Sequence, residues 1–165
     1  MAPKEFVRSR GEMESILRQE TLGFLGLCVG GQPYVVPLTY AYVDGKILFH
    51  CAKQGKKLDL IRENPRVCFT VGKQFDTVVR HPQGGQCAEN HDSVICYGTA
   101  RILEDEMERW EALNAFNRAL KPGAEEITLK DAASCCAVEI TIGEMTGRLQ
   151  RDGGSRTFYG HSFHE

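Results

Sequence analysis

The stretch that most constrains the fold is TYAYVDGKILFHCA, residues 39–52. Two apolar runs flank Asp44-Gly45, a pair that readily takes the positive φ angles of a two-residue hairpin turn. With that turn, Val43 faces Lys46, while Tyr42, Tyr40 and Leu38 oppose Ile47, Phe49 and Cys51. Side chains alternate along a strand, so these residues share one large apolar face, expected to line a barrel interior. The other face sets Pro37, Thr39 and Ala41 against Ala52, His50 and Leu48. It is flatter, smaller and partly polar, which suits a planar ligand, a subunit interface or both.

The segment after the hairpin carries charge in an unusual place. Residues 55–63 read as a helix with Leu58 and Ile61 inward, ended by Pro65. Lys56 and Lys57 fall in its first turn, where the helix already presents unpaired N–H groups and a partial positive charge. Two solvated lysines would explain the spacing. A bound phosphate would also explain it, since N–H and ammonium groups would then converge on an anion, with Gly55 letting it approach the backbone.

The remaining chain supplies further strands and a few helices. Residues 12–19 read as a helix with Met13, Ile16 and Leu17 on one side and Ser9 placed as its cap. GGQP punctuates an earlier strand pair, and Pro37 within a strand marks an edge or a bulge. Residues 66–72 read as a strand, with residues 73–79 as a further one after it. Residues 92–104 read as a strand bent near Gly98. Residues 105–120 form the clearest helix, acidic at its start, with Trp110, Leu113, Phe116 and Leu120 at helical spacing. A last strand begins near the Cys135-Cys136 pair, whose members cannot both point inward. About six strands without βαβ alternation imply a mainly β antiparallel barrel with peripheral helices. Residues 1–150 are read as one domain, and the polar, glycine-rich residues 151–165 as a tail that is loosely ordered or wraps onto a partner.

Composition excludes several classes. A net charge of −2 gives no general attraction to nucleic acid or anionic membrane. No apolar run approaches the roughly 20 residues of a membrane helix, and the N-terminus lacks a signal-peptide core, so a cytoplasmic location is expected. Seven cysteines with no Cys-x-x-Cys indicate neither a disulfide framework nor a dithiol motif. The series His81, Cys87, His91, Cys96 matches no common zinc spacing, so no metal is expected. Neither a dinucleotide-binding glycine motif nor a P-loop occurs.

Residues 33–71, PYVVPLTYAYVDGKILFHCAKQGKKLDLIRENPRVCFTV, resemble the FMN-binding split-barrel flavoproteins. Within them the chain is most similar to the pyridoxamine 5'-phosphate oxidase-related group that includes the 5-nitroimidazole-resistance (Nim) proteins. Cys87 followed by DSVICYGTARILED, and ITIGEMTGRL at residues 140–149, resemble two further blocks of that group, so the likeness spans roughly residues 5 to 150. The resemblance implies a six-stranded antiparallel split β-barrel and a homodimer with FMN at the subunit interface. It places the flavin ring near Pro37, Leu38, Thr39 and Tyr40, with Ser93 and Tyr97 flanking it and Cys87 nearby. It puts His50, Cys51 and Ala52 along the flavin and its ribityl chain, and Lys56 and Lys57 at the phosphate.

The implied activity is that of an oxidoreductase acting on a small molecule, nitroaromatics foremost, with His50 as hydrogen-bond donor or acid near the reacting groups. A flavin- or haem-binding sensor or carrier without turnover, and a deazaflavin enzyme, are the alternatives on the same fold. True pyridoxamine-phosphate oxidases carry an arginine and a lysine on the strand matching residues 35–40 and end in a Trp- and Arg-containing segment. This chain has neither feature, so vitamin B6 oxidation is not expected. Lys56 stands where Nim proteins often have arginine; a lysine supplies charge without a bidentate fork.

Overall fold

The computed structural model describes residues 5–6, 10–79, 88–151 and 154–162. Strand β1 (Glu5–Phe6) precedes helix α1 (Arg10–Gln19), which buries Met13, Ile16 and Leu17 as their spacing predicts. Ser9 lies outside the described residues. Strands β2 (Leu22–Val29) and β3 (Gln32–Thr39) form one hairpin, and β4 (Ala41–Val43) and β5 (Lys46–Cys51) the next. In the second, Asp44 and Gly45 have φ of 49° and 79°, as a primed turn requires, and Val43 and Tyr42 oppose Lys46 and Ile47. Then come α2 (Lys56–Glu63), β6 (Arg66–Val79), β7 (Ala88–Ile102), α3 (Glu106–Leu120), α4 (Leu129–Ala132), β8 (Cys136–Arg151) and β9 (Gly154–Ser162). No helix among the described residues is long and apolar enough to cross a membrane.

The architecture is a mainly antiparallel, split-barrel-like sheet with a few helices. Among the described residues nine strands take part, in the order β1-β9-β8-β7-β6-β2-β3, with β5 laddered to the start of β8 and carrying β4. Of the pairings among them, only the short β1–β9 one is parallel. This corrects the expected strand count and closure of a six-stranded split β-barrel: the path has seven strands and does not join its own ends. Part of the difference is length. Residues 73–79 continue β6 instead of starting a strand, and β6, β7 and β8 run for 14, 15 and 16 residues. Within residues 151–165, expected to be loosely ordered or to wrap onto a partner, Gly154–Ser162 is strand β9, paired to β8 from Glu144↔Ser162 to Arg151↔Gly154.

The rest of the difference lies at β3. The Tyr40 N–H donates to the Thr21 carbonyl at 2.9 Å, so Tyr40, Leu38 and Val36 turn their backbone groups toward β2. Thr39, Pro37, Val35 and Pro33 therefore turn theirs toward the free edge. Two of these four are prolines and have no N–H to offer. β3 and β5 are neighbours in space, yet no ladder joins them. Pro37 thus marks an edge, one of the two readings its place in a strand allows.

Inward faces of β2, β3, β5, β6, β7 and β8 meet in one core, where the Tyr40 and Phe69 rings pack edge-on at 5.0 Å. Leu58 and Ile61 of α2 enter the same core. Cys136 belongs to it, whereas Cys135 packs toward α3 and α4, as alternation demands. α3 starts at Asp105, whose side chain accepts from the Glu108 N–H at 2.9 Å. Leu113 and Phe116 are buried, Trp110 is half-buried and donates to the Ile127 carbonyl, and Leu120, read as inward, is exposed at the last turn.

β7 bends between Tyr97 and Gly98, where its register with β8 shifts. A Cβ on Gly98 would approach the Thr141 carbonyl oxygen within 2.3 Å, whereas one on Gly11 in α1 would meet nothing within 4 Å. Gly98→Ala is expected to destabilise by about 2 kcal/mol or more, and Gly11→Ala to stabilise by about 0.5–1 kcal/mol. Urea unfolding midpoints should move in opposite directions; a shared direction would contradict the account of the bend.

Candidate functional site

The first turn of α2 is built as the lysine positions suggest. Gly55 precedes it with φ 143° and ψ 159°, a conformation essentially reserved for glycine, and no side chain caps the helix. The Leu58 and Asp59 N–H groups both return to the Gly55 carbonyl, at 2.9 and 3.3 Å. The Asp59 carboxylate is occupied by Arg62 at 3.2 Å. A Cβ on Gly55 would meet nothing within 4 Å, so the space before the turn is open. Lys56 Nζ lies 4.9 Å from the centre of the Tyr34 ring on β3, and Lys57 Nζ lies 5.8 Å from that of Phe49 on β5. The helix start therefore spans the gap between the two unladdered strands.

On the β3 side, Leu38 and Tyr40 point into the core, and the Tyr40 hydroxyl donates to the Leu17 carbonyl at 2.8 Å. Burial raises the ionisation of that hydroxyl well above its ordinary range. A ligand at this edge can meet the backbone groups of Thr39, the Pro37 carbonyl and the exposed Pro37 and Thr39 side chains. β3 rises about 3.3 Å per residue, so Pro37 lies roughly 10 Å along the strand from Tyr34 and the helix start.

On the β5 side the flat face read from the sequence is half covered. Ala41 and Leu48 are buried beneath Phe116 of α3, and the exposed His50 ring meets Phe116 edge-on at 5.2 Å. Arg101, on β7, donates to Glu108 at 2.8 Å and to Glu139 at 3.2 Å, and Lys46 reaches Glu139 at 2.8 Å, which holds α3 on the sheet. Only Pro37, Thr39, His50 and Ala52 of that face remain exposed.

Ser93 and Tyr97 lie elsewhere on the chain. They sit on the outward face of β7, opposite Gly72 and Cys68 of β6. β2 and β6 separate them from β3, a distance of roughly 14 Å. Within one chain the structure joins residues 37–40, 50–52 and 56–57 around the gap, but not Ser93 or Tyr97. Between the two groups runs an apolar face that the sequence reading missed. Leu22, Phe24, Val35 and Tyr97 are 54%, 40%, 65% and 49% exposed on it. An open groove of about 620 Å³ lies there, bordered by Gly26, Cys28, Val35, Cys68 and Tyr97. Alternation could not reveal it, because LGFLGLCV is apolar on both faces. Of the His81 to Cys96 series, His81 and Cys87 lie outside the described residues, and Cys96 is buried in the core.

Residues 9–149 match the sequence profile of the pyridoxamine 5'-phosphate oxidase family. The chain belongs to that family. An uncharacterised protein of Rhizobium meliloti (strain 1021) is 31% identical over 153 residues, spanning 86% of this chain and 93% of that protein. Among solved structures, a candidate 5-nitroimidazole antibiotic resistance protein of Bacteroides thetaiotaomicron has a TM-score of 0.75 at 23% identity, covering 86% of this chain and 84% of that one. An FAD-binding protein of Mesorhizobium loti reaches 0.63 at 28% identity, covering 87% and 96%. An FAD and haem binding protein of Mycobacterium smegmatis reaches 0.79 at 20% identity, covering 88% and 73%. The oxidase-family fold thus has neighbours that bind flavin.

In this member of the oxidase family, Cys51 adjoins the helix start. Burial raises its ionisation and the nearby Lys57 ammonium opposes that rise. Lys57→Gln removes the cation that favours the thiolate, so the Cys51 midpoint should move further up and its alkylation at fixed pH should slow. Lys57→Arg should change little. Peptide mass spectrometry after timed iodoacetamide labelling measures both; equal rates in wild type and Lys57→Gln would contradict the contact.

Proposed function

We propose that the protein is an FMN-binding, homodimeric oxidoreductase that passes electrons from the flavin to a small acceptor, with nitroaromatics the class to test first. One observation carries the reading: an uncapped, glycine-started helix with two lysines, set against the open backbone edge of β3. Membership of the oxidase family and a flavin-binding neighbour at 28% identity support it.

The residues present fit such a cofactor. Free first-turn N–H groups and the Lys56 and Lys57 ammonium groups would hold the phosphate. The Thr39 N–H and the ring of Pro37 would meet the polar edge and face of a flat heterocycle along β3. His50, exposed beside Ala52, would orient or protonate a bound acceptor. The flavin, when bound, supplies the electron-transfer chemistry. A second copy docked on the Leu22, Phe24, Val35 and Tyr97 face would remove that apolar surface from water. It would also give Ser93 and Tyr97 a route to the partner's site.

The purified protein is expected to show a flavin spectrum and to elute as a dimer. Lys56→Glu with Lys57→Glu should lose FMN while circular dichroism and dimer mass are unchanged, and the milder pair of glutamine substitutions should weaken retention. His50→Ala should lower turnover with nitro, quinone and disulfide acceptors under anaerobic conditions. A haem spectrum, or a colourless protein that does not take up FMN, would overturn the reading. Unchanged FMN affinity and turnover in His50→Ala would remove the role given to that histidine.

A further inference from the structure

Cys51 ends β5 and Cys136 begins β8, and the antiparallel register places them directly opposite each other. Opposed residues share a face, and both side chains border the main core. The two thiols are near enough that each perturbs the other's ionisation, while the Cys136 thiol donates to the Ala137 carbonyl at 3.8 Å. Among the described residues no other cysteines are cross-strand partners: Cys28 opposes Pro33, and Cys68 and Cys96 oppose Tyr97 and Phe69. Opposed Cα atoms in an antiparallel ladder lie about 4.5–5.5 Å apart, within the roughly 4.4–6.8 Å that a disulfide spans. The pair sits at the end of its ladder, where the backbone can adjust. Cys51 is half-exposed, so a small oxidant can reach it, while Cys136 is buried behind it.

We propose that Cys51 and Cys136 form a redox-active dithiol that hydroperoxides convert to an intrachain disulfide. Cys51 reacts first, because it is half-exposed where Cys136 is buried, and the Lys57 ammonium beside it offsets part of the rise that burial imposes on its thiol. Its thiolate attacks the peroxide O–O bond and becomes a sulfenic acid, releasing hydroxide or alkoxide. The Cys136 sulfur then attacks the Cys51 sulfur, forming the S–S bond and expelling the second oxygen as water. The thiol protons pass to the two oxygens, each sulfur loses one electron, and the peroxide takes up two.

The bond would tie the end of β5 to β8 just before the loop at residues 52–55 and the Lys56-Lys57 turn. Oxidation would thereby restrict the segment that positions the two lysines. The dithiol stands without the flavin reading, since its test uses protein free of added cofactor.

The experiment treats the reduced full chain with hydrogen peroxide, blocks residual thiols and maps tryptic peptides under non-reducing conditions. The expected product is lighter by two hydrogen atoms and joins peptide 47–53 to peptide 131–148. Because Cys135 shares the second peptide, the link should persist in Cys135→Ser and vanish in Cys51→Ser and in Cys136→Ser. Hydrogen exchange at residues 52–57 should slow on oxidation in wild type but not in Cys136→Ser. A link that requires Cys135, or Cys51 recovered only as sulfinic acid, would overturn the dithiol. A disulfide that leaves exchange at 52–57 unchanged would overturn its effect on the lysine turn.

Discussion

The site depends on a bond that β3 cannot make. Its free edge presents Pro33, Val35, Pro37 and Thr39, and two of the four lack an N–H group. A ladder from β3 to β5 would be missing alternate donors, so the sheet stays open there although the strands are adjacent. An open edge is ordinarily a hazard for unwanted strand pairing, and the prolines blunt it against that as well. The result is a gap with some backbone groups still free, walled on one side by β3 and on the other by β5.

Helix α2 starts in that gap, and its electrostatics follow from its sequence. Each lysine near a helix N-terminus costs a few tenths of a kcal/mol in the absence of an anion. Tyr34 and Phe49 hold the two ammonium groups over their rings, which fixes them on opposite walls. An anion between them would reverse the sign, gaining charge-assisted hydrogen bonds each worth more than a neutral one. Gly55 makes this geometry available, because its φ of 143° turns the chain into the helix without a side chain in the approach.

Much of this was legible in the sequence because it is local. The Asp44-Gly45 turn, the inward Leu58 and Ile61, the acidic start of α3 and the bend at Gly98 each rest on a few neighbouring residues. The illegible part depends on distant strands. Nothing near Leu48 shows that Phe116 covers it, and nothing near Cys51 shows that Cys136 faces it. The glycine-rich tail lacks a strand's composition, yet the unpaired edge of β8 recruits it as β9. Ser93 and Tyr97, which family resemblance sets beside the flavin ring, lie on β7 with β6 and β2 between them and β3 in the same chain.

The central claim is that the start of α2 anchors a flavin through its phosphate. Titrating the protein with FMN and with riboflavin, which has the same ring and no phosphate, tests it most directly. The account predicts that FMN binds about a hundredfold more tightly, a difference of about 2.7 kcal/mol. It also predicts that Lys56→Gln with Lys57→Gln brings FMN down close to the riboflavin affinity. Equal binding of FMN and riboflavin by the unaltered protein would contradict it.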